Sequence, residues 1–513
     1  MPTLNWIGKE KVINHHLDVP YRVLNHCYGY GEPDSGNMII HGDNLDALKS
    51  LLPQFEGQVK CIYIDPPYNT GNEGWVYNDN VNDPKIRKWL GEIVGREGED
   101  LSRHDKWLCM MYPRLRLLHR LLADDGVIFV SIDDIEITLL RMVMDEIFGK
   151  DRFIAQLIWK SRQNKDNRNI TNVSIDHEYV LCYGLKLRGA TRDLSQYSNP
   201  DNDPRGLWTS ANMVGLATEE ARPNLHYNLI DPHTGIDYGK PDKGWRYDRK
   251  TMGNLIADNR ILWPSAVTGR PRKKQFLSDL MTEYTGYSSI IGVDCYTADG
   301  TKEQSKIFNA TQFAFPKYSH FVAELIGQAA TKDSTILDSF AGSGTTAHAV
   351  LNMNKADGGN RKFILVEMMD YAESITAERV RRVIDGYADV AGTGGGFDYY
   401  ELGEPLMHEN GNLNEAIETP KIREYVWYME TKLTAQDIDT AINPYMLGET
   451  GGTAYYFYYE KESVTTLDAG FLSLVNINAE RYIIYADQCA LSGCTLDQYN
   501  ITFKKIPRDI AKL

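Results

Sequence analysis

Short runs of apolar residues alternate along this chain with segments in which apolar residues recur at helical spacing. The run Met38-Ile39-Ile40, for example, precedes Leu45, Leu48 and Leu52. Uninterrupted apolar runs predict strands buried on both faces, and the helical spacing between them predicts crossover helices. We therefore predict an α/β fold with a doubly wound, mostly parallel, Rossmann-like sheet. The predicted strands lie at residues 38–40, 61–64, 126–132, 153–159, 179–183, 335–338 and 363–366.

This alternating pattern is interrupted once and stops before the end of the chain. Residues 185–305 have no helical period and are rich in Asn, Asp, Pro, Gly, Trp and Tyr. They predict an inserted domain between two halves of the sheet domain, at residues 1–184 and 306–390. The glycine-rich residues 386–396 are typical of a linker. Residues 397–513 predict a small C-terminal α/β domain.

Composition narrows the class of protein. A chain of 513 residues is too long for one compact core. It contains no uninterrupted run of eighteen apolar residues, and its first eight residues do not resemble a signal peptide. We therefore expect a cytoplasmic protein without a membrane segment. The seven cysteines are scattered and form no C-x-x-C pair, which favours reduced thiols and no metal site.

The charge distribution limits how this chain could bind nucleic acid. A net charge of −15 argues against binding over the whole surface. Basic residues at 159–168 and 260–274, with aromatic residues between them, nevertheless suit phosphate and base contacts in one cleft. A merely solvated surface is the alternative. The predicted DNA-binding residues are Lys160, Arg162, Arg246, Arg270, Arg272, Lys273 and Lys274.

A carboxylate, a carbonyl and an aromatic ring follow the predicted strand at 61–64. Asp65 stands where this strand stops, and Pro66 and Pro67 prevent both further pairing and a regular helix. The Asp65 carboxylate and the Pro66 carbonyl could accept the two N–H groups of an exocyclic amine on a nucleobase. Tyr68 offers a flat surface for stacking such a base. A stiff turn at a strand end is the structural alternative.

A second motif suits an adenosine-like cofactor. A predicted strand ends at Asp338, a turn containing Gly342 and Gly344 leads into a helix, and the next strand ends in Glu367. The glycines allow a ligand to approach the backbone, and the terminal carboxylate can accept both ribose hydroxyls. No lysine follows the second glycine, so this is not a phosphate-binding loop of the nucleoside-triphosphatase kind. Asp43 ends another strand, where it could cap the next helix or bind a ligand.

Both motifs stand at strand ends, where open α/β sheets bind ligands. Methyl transfer from S-adenosylmethionine to an exocyclic amine would use them together. The order of D-P-P-Y before F-A-G-S-G-T-T resembles the β class of amino-DNA methyltransferases, and most closely the modification subunits of Type III restriction–modification systems. The residues that carry this resemblance are Ile39-x-x-Gly42-Asp43-Asn44-Leu45, D-P-P-Y-N-T-G at 65–71, V-S-I-D-D at 130–134, Ile147-Phe148-Gly149, His177-Glu178-Tyr179, Trp245-Arg246-Tyr247, Phe315-Pro316-Lys317 and L-D-S-F-A-G-S-G-T-T at 337–346.

The resemblance implies roles for particular residues and partners. Asp65, Pro66, Pro67 and Tyr68 would hold a target base that has left the duplex. The inserted domain would recognise the target sequence in double-stranded DNA. A homodimer and a restriction subunit with helicase and nuclease activity are the implied partners. The residues implied to bind S-adenosylmethionine are Asp338, Phe340, Ala341, Gly342, Gly344, Thr345 and Glu367, with Lys317, Asp43 and Asn44 beside them.

Several alternatives stay open. Adenine N6 and cytosine N4 present the same donor pair; an Asp at the first position of D-P-P-Y resembles the adenine enzymes more than the cytosine ones, and we expect adenine. A methyltransferase acting on RNA or on a protein glutamine would use a similar geometry. A nicotinamide-dependent oxidoreductase would explain Glu367 but not Asp65 and Tyr68. A catalytically silent DNA-binding subunit is the remaining alternative.

Overall fold

The computed structural model describes residues 4–68, 103–165, 172–266, 268–436, 438–439 and 442–508. Asn69, Thr70 and Gly71 of the D-P-P-Y-N-T-G motif lie outside the described residues. The described residues form two compact units. The larger unit contains the residues up to Arg188 and from Ser288 onward, and the smaller unit is Gly189–Tyr287.

The strands are numbered in chain order. They are β1 (Arg22–Gly31), β2 (Met38–His41), β3 (Val59–Ile64), β4 (Leu122–Ile132), β5 (Phe153–Trp159), β6 (Glu178–Gly184), β7 (Ala190–Thr191), β8 (Trp208–Ala211), β9 (Ile261–Leu262), β10 (Arg272–Phe276), β11 (Tyr284–Thr285), β12 (Ile290–Ile291), β13 (Thr335–Asp338), β14 (Lys362–Glu367), β15 (Gly386–Tyr387), β16 (Val390–Ala391), β17 (Gly396–Pro405), β18 (Met446–Thr450), β19 (Thr453–Phe457), β20 (Thr466–Leu467), β21 (Arg481–Ala486), β22 (Gln488–Cys489) and β23 (Ile501–Lys505).

The α-helices are numbered in the same way. They are α1 (Lys9–Val12), α2 (His15–Asp18), α3 (Asn44–Phe55), α4 (Arg103–Leu121), α5 (Ile137–Phe148), α6 (Arg249–Ala257), α7 (Thr297–Phe308), α8 (Ser319–Ala329), α9 (Thr345–Asp357), α10 (Glu378–Asp385), α11 (Thr419–Thr431), α12 (Ala469–Leu472) and α13 (Gly493–Gln498).

A ten-stranded sheet organises the larger unit, in the order β1-β17-β2-β14-β13-β3-β4-β6-β5-β12. From β17 to β4 each strand runs parallel to the next, whereas β1 runs antiparallel to β17. Strand β6 lies antiparallel between β4 and β5. Nearly every residue of β3, β13 and β14 is buried, because helices cover both faces of the sheet. The predicted doubly wound, mostly parallel fold is confirmed.

The core packs between this sheet and its helices. Helices α3, α4 and α5 contribute fully buried leucines, among them Leu48, Leu118 and Leu140. Each such side chain contributes about 1.5–3 kcal/mol when it leaves water. This packing holds β2, β3 and β4 rigidly, so the residues that follow these strands begin from fixed positions.

The boundaries of the inserted segment differ from the predicted 185–305. Strand β12 returns to the large sheet and pairs with β5, so the smaller unit ends at Tyr287. Helix α7 follows in the larger unit. Its buried positions include Gly300 and the polar Gln304, which hid its helical period in the sequence.

The predicted linker and C-terminal boundary are also corrected. Strands β15 and β16 pair as a short hairpin within residues 386–396. Strand β17 then joins the large sheet between β1 and β2, because Phe397 and Tyr399 bury their rings there. A separate four-stranded sheet, β18-β19-β21-β23, follows in the C-terminal part with helix α11 against it.

The smaller unit has a core of its own. Strands β8, β10 and β9 form a three-stranded sheet, and β7 pairs with β11. Trp245 is fully buried and donates a hydrogen bond from Nε1 to the Tyr227 carbonyl at 2.9 Å. This tryptophan therefore supports the core and is not an exposed surface for stacking a base.

Candidate functional site

Four neighbouring parallel strands end at, or just before, an acidic residue at one edge of the large sheet. Strands β2, β14, β13 and β3 lie side by side and parallel. Their carboxyl ends lead to Asp43, Glu367, Asp338 and Asp65, respectively. Burial raises the pKa of Asp338 to about 7, and the charges of Asp65 and Glu367 add to this rise. The sheet thus brings both predicted motifs to one edge.

Asp65 is held in a compact cluster of charged and hydroxyl groups. Its Oδ1 lies 2.7 Å from the Tyr68 hydroxyl, and its Oδ2 lies 2.9 Å from Nζ of Lys317. Oε2 of Glu178 lies 2.9 Å from the same hydroxyl and 3.2 Å from the same Nζ. The Lys317 ammonium also donates to the Tyr68 hydroxyl at 2.8 Å. One ammonium therefore bridges two carboxylates.

The electrostatics of this cluster follow from its burial. Burial raises the pKa of Asp65 and Glu178 raises it further, although Lys317 opposes both. Burial lowers the pKa of Lys317, but the two carboxylates outweigh burial and bring the pKa above its usual range. Lys317 is thus held protonated beside Asp65.

Further contacts fix the turn after Asp65. The fully buried Trp107 of α4 donates from Nε1 to the Pro67 carbonyl at 2.7 Å. Pro66 is buried. Nζ of Lys317 lies 4.9 Å from the centre of the Tyr68 ring, within reach of a cation–π interaction. The turn is therefore held by tertiary contacts as well as by its two prolines.

The predicted glycine turn requires glycine. Gly342 and Gly344 have φ angles of 51° and 80°, in the left-handed region. A Cβ on Gly342 would lie 3.1 Å from Cζ of Phe313. The Gly342 amide donates to Oε2 of Glu367 at 2.7 Å, and its carbonyl accepts from the Thr376 hydroxyl at 2.5 Å. The turn is therefore tied to the end of β14.

Asp338 and Glu367 are buried carboxylates with different hydrogen-bond partners. Asp338 accepts from the Phe340 amide at 3.0 Å and from the Thr346 hydroxyl at 2.5 Å, which closes the turn on itself. Oε1 of Glu367 accepts from the Met369 amide at 3.0 Å. Burial raises the pKa of Glu367 to about 7, although these amide hydrogen bonds favour its charged form.

The remaining predicted cofactor residues support the same edge. Asp43 caps α3 by accepting from the Leu45 amide at 2.8 Å. Asn44 donates to the Ser339 carbonyl at 3.1 Å and joins the end of β2 to the turn. The Thr345 hydroxyl donates to the Lys317 carbonyl at 3.3 Å. Phe340 and Ala341 are both buried. A direct cofactor contact of any of these residues stays a prediction.

Sequence reasoning missed three contributions to the site. Glu178 appeared only within the H-E-Y motif, with no role assigned. The cofactor role predicted for Lys317 stays a prediction, but the contact of its ammonium with Asp65 was not foreseen. The Arg379 guanidinium is fully buried and donates to the hydroxyls of Ser343 and Thr345 at 2.9 and 2.8 Å. An acidic residue at the start of an apolar strand was the available signal for Glu178.

The predicted DNA-binding residues fall into two groups. Lys160 and Arg162 follow β5 in the larger unit and are exposed. In the smaller unit Arg246, Arg270 and Arg272 are exposed and Lys273 is half-buried. Their contact with DNA stays a prediction.

Lys274 is not available for the predicted contact with DNA. It is only 4% exposed, and its ammonium pairs with Asp201 and Asp203. A buried ammonium with two carboxylate partners is not available to a phosphate. The sequence could not show this, because both aspartates lie far from Lys274 along the chain.

The described part of the chain contains neither a membrane-spanning helix nor a cluster of metal ligands. None of its helices is both long and apolar enough to cross a membrane. Within the same residues, His, Cys, Asp and Glu side chains form no group of three that could hold a metal ion.

We expect the buried carboxylates to make folding stability depend on pH. The pKa of Glu367 rises from 4.5 in the unfolded chain to about 7 in the folded chain, so the folded protein binds the proton more tightly. This stabilisation is complete below pH 4.5 and is lost as the pH rises through 7. Glu367→Gln carries no such charge, so its free energy of unfolding relative to wild type should rise by about 2–3 kcal/mol between pH 5 and pH 8. Urea denaturation at the two pH values measures this difference, and an unchanged difference would contradict the pKa shift.

Comparison with known proteins places these features in a family. Residues 59–378 match the model of the N6/N4 methyltransferases, described as DNA methylase. The chain is 32% identical to the StyLTI Mod subunit, a Type III restriction–modification enzyme of Salmonella typhimurium, over 74% of this chain and 62% of that protein. It is 30% identical to the Type III EcoP15I Mod subunit of Escherichia coli, over 71% of this chain and 64% of that protein.

A shorter relative is covered more completely. The chain is 34% identical to the Type II methyltransferase M.KpnI of Klebsiella pneumoniae, over 65% of this chain and 81% of that protein. It spans less than two thirds of the length of the two Mod subunits. The resemblance to Type III modification subunits is confirmed, and the chain belongs to the N6/N4 DNA methylase family.

Proposed function

We propose that the protein is a site-specific DNA methyltransferase that transfers a methyl group from S-adenosylmethionine to N6 of an adenine flipped out of duplex DNA. The proposal rests on the proximity of two sequence motifs at one edge of the sheet. The D-P-P-Y turn follows β3, the glycine turn follows β13, and these strands are adjacent and parallel. An acceptor for an amine and a site for an adenosine-like cofactor thus share one edge of the sheet.

The residues at the glycine turn fit this cofactor. Gly342 lacks a side chain where a ligand would approach the backbone, and Glu367 presents a buried carboxylate at the next strand end. The Glu367 carboxylate would accept the ribose hydroxyls, and the ring of Phe313 beside Gly342 would border the adenine. When bound, S-adenosylmethionine supplies an electrophilic methyl group on a positively charged sulfur.

Asp65 would prepare the amine to react. The lone pair of an exocyclic amino nitrogen is delocalised into the ring, which makes the nitrogen a poor nucleophile. Accepting its N–H groups on the Asp65 carboxylate and the Pro66 carbonyl favours a tetrahedral nitrogen with a localised lone pair. The lone pair would form the new N–C bond as the C–S bond of the methyl donor breaks with its electrons on sulfur, and one N–H proton would leave. The Asp65 carboxylate would receive this proton.

Tyr68 would hold the base in plane. A base must unstack to reach a site at the edge of a sheet, at a cost of a few kcal/mol. Stacking on an aromatic ring returns about 1–3 kcal/mol. The hydroxyl contacts of Tyr68 with Asp65 and Glu178 fix the orientation of its ring.

The wider assembly is part of the same proposal. We assign recognition of the target sequence to Gly189–Tyr287, with the exposed basic residues there contacting phosphates. Likeness to Type III Mod subunits supports a modification subunit that forms a homodimer and works with a restriction subunit. The Asp at the first position of D-P-P-Y supports adenine over cytosine as the target.

A methyl-transfer assay tests the function. Wild-type protein with labelled S-adenosylmethionine and unmethylated bacterial genomic DNA should yield N6-methyladenine when the product is digested to nucleosides and analysed by mass spectrometry. Formation of N4-methylcytosine would support the same mechanism but would identify cytosine as the target base. Label in RNA or protein alone, or no transfer by protein that binds the cofactor, would contradict a DNA substrate.

A further inference from the structure

Both oxygens of Asp65 already have donors before any base arrives. Oδ1 has the Tyr68 hydroxyl and Oδ2 has the Lys317 ammonium. Under the proposed function, on which this inference rests, Asp65 must accept an N–H group from the target amine. The ammonium is the stronger competitor, because a hydrogen bond from a charged donor to a carboxylate exceeds one from a neutral amine. An ammonium at Oδ2 also draws negative charge away from the amine, so opening of the ion pair favours productive binding of the base.

Glu178 offers both donors another acceptor without a rearrangement of the backbone. Its Oε2 is within hydrogen-bond distance of the Tyr68 hydroxyl and close to Nζ of Lys317. The Tyr68 hydroxyl has a single proton, so it can donate to only one of the two carboxylates at a time. The ammonium has three protons and can turn towards either carboxylate.

The sheet holds Glu178 in place. It begins β6, where its backbone is paired with Trp159 of β5, and Tyr179 is paired with Ile132 of β4. Its side chain is 18% exposed, against 26% for Asp65 and 9% for Lys317. Asp65 is thus the more accessible of the two carboxylates, and Glu178 is the more enclosed.

We propose that Glu178 is a positioning residue that takes the Lys317 ammonium and the Tyr68 hydroxyl when Asp65 accepts the target amine. Glu178 makes no contact with the substrate in this scheme. Two carboxylates share one ammonium, so when Lys317 moves to Glu178, Asp65 keeps its negative charge for the amine. With a neutral residue at 178, Asp65 would be the one carboxylate among the described residues still paired with Lys317, and the ion pair would close the site.

The test compares four proteins at saturating cofactor and genomic DNA: wild type, Glu178→Gln, Lys317→Met and the double variant. Glu178→Gln should lower kcat by about 20-fold and leave the Kd for S-adenosylmethionine within about twofold of wild type. Removing the ammonium in the Glu178→Gln background frees Asp65. The double variant should therefore be faster than Glu178→Gln alone, which a merely structural role of Glu178 would not produce.

Glu430→Gln is a matched control. Glu430 also accepts a tyrosine hydroxyl, from Tyr485, and a lysine ammonium, from Lys504 at 2.7 Å, but it lies against the C-terminal sheet. This variant should keep the wild-type kcat. If Glu178→Gln fails to fold, Glu178→Asp keeps the charge with a shorter reach and should lose less than about 20-fold in kcat, with wild-type cofactor affinity.

The outcomes separate this inference from the proposed function. An active wild type with Glu178→Gln within about threefold of its kcat would overturn the role of Glu178 alone, as would a double variant no faster than Glu178→Gln. A wild type that binds the cofactor and methylates no DNA would overturn both proposals. A slow Glu178→Gln variant together with a faster double variant supports the movement of the Lys317 ammonium between the two carboxylates.

Discussion

Replacing Asp65 with Asn is expected to lower kcat for DNA methylation by about a hundred- to a thousandfold, which is the usual cost of removing one preorganised electrostatic group from an active site. Asn keeps the shape of the side chain but loses the charge that localises the lone pair of the amine. It also presents N–H groups towards the target. Label transfer from S-adenosylmethionine to genomic DNA, followed by nucleoside analysis, measures the loss.

The fold should survive this substitution. Lys317 keeps Glu178 as its carboxylate partner, and Trp107 still holds the Pro67 carbonyl. Cofactor affinity should therefore stay within about threefold of wild type, which separates a catalytic loss from a binding loss.

Asp125→Asn is the matched control for Asp65→Asn. Asp125 of β4 pairs with Lys60 of β3, so this variant also removes the carboxylate of an aspartate–lysine ion pair at the same sheet. Its side chain is 64% exposed and lies before the buried part of β4. The control should keep wild-type activity. An Asp65→Asn rate within about tenfold of wild type would refute Asp65 as the group that activates the amine.

Local rules of the sequence were enough to locate both motifs. The buried run of β3 stops at Ile64 because Pro66 and Pro67 cannot continue the strand, so Asp65 was placed correctly at a strand end. Gly342 was predicted to lie in a turn, and its positive φ explains why glycine stands there. Both predictions depend on a few adjacent residues.

Contacts between distant segments could not be predicted in this way. The ion pair of Lys317 with Asp65 depends on how the loop before α8 packs over the end of β3, and no local pattern specifies that packing. Glu178 reaches the same site because β6 runs antiparallel between β4 and β5. Strand order is set by tertiary packing, so the role of Glu178 could not be seen in its motif.

The same limit explains two wrong predictions: the start of the C-terminal domain at residue 397 and the contact of Lys274 with DNA. The local sequence of β17 predicts the start of a new domain because it follows a glycine-rich segment. Its pairing with β1 and β2 nevertheless includes it in the large sheet. Lys274 lies in a basic run, yet Asp201 and Asp203 neutralise it inside the smaller unit. Charge along a sequence shows which residues could bind an anion; burial decides which of them remain available.

A second large effect, on cofactor affinity, is expected at the glycine turn. Gly342→Val should weaken S-adenosylmethionine binding by about 30- to 100-fold, equivalent to about 2–3 kcal/mol. A side chain at this position contacts the ring of Phe313. Under the proposed function it would also enter the space that the cofactor needs. It also strains a φ of 51° and so displaces the amide that holds Glu367. Equilibrium binding of the labelled cofactor measures the change, and Gly342→Ala offers a milder variant if valine prevents folding.

Gly358→Val separates backbone strain from loss of the binding surface. Gly358 ends α9 with a φ of 65°, similar to that of Gly342, but a Cβ there would meet nothing within 4 Å. Both valine variants should lose roughly 1–2 kcal/mol of stability, because each forces an L side chain into the left-handed region. Only Gly342→Val should also lose cofactor affinity. If both variants bind the cofactor like wild type, the adenosine-like site lies away from this turn. If both lose affinity equally, strain in the fold and not the approach to Gly342 controls binding.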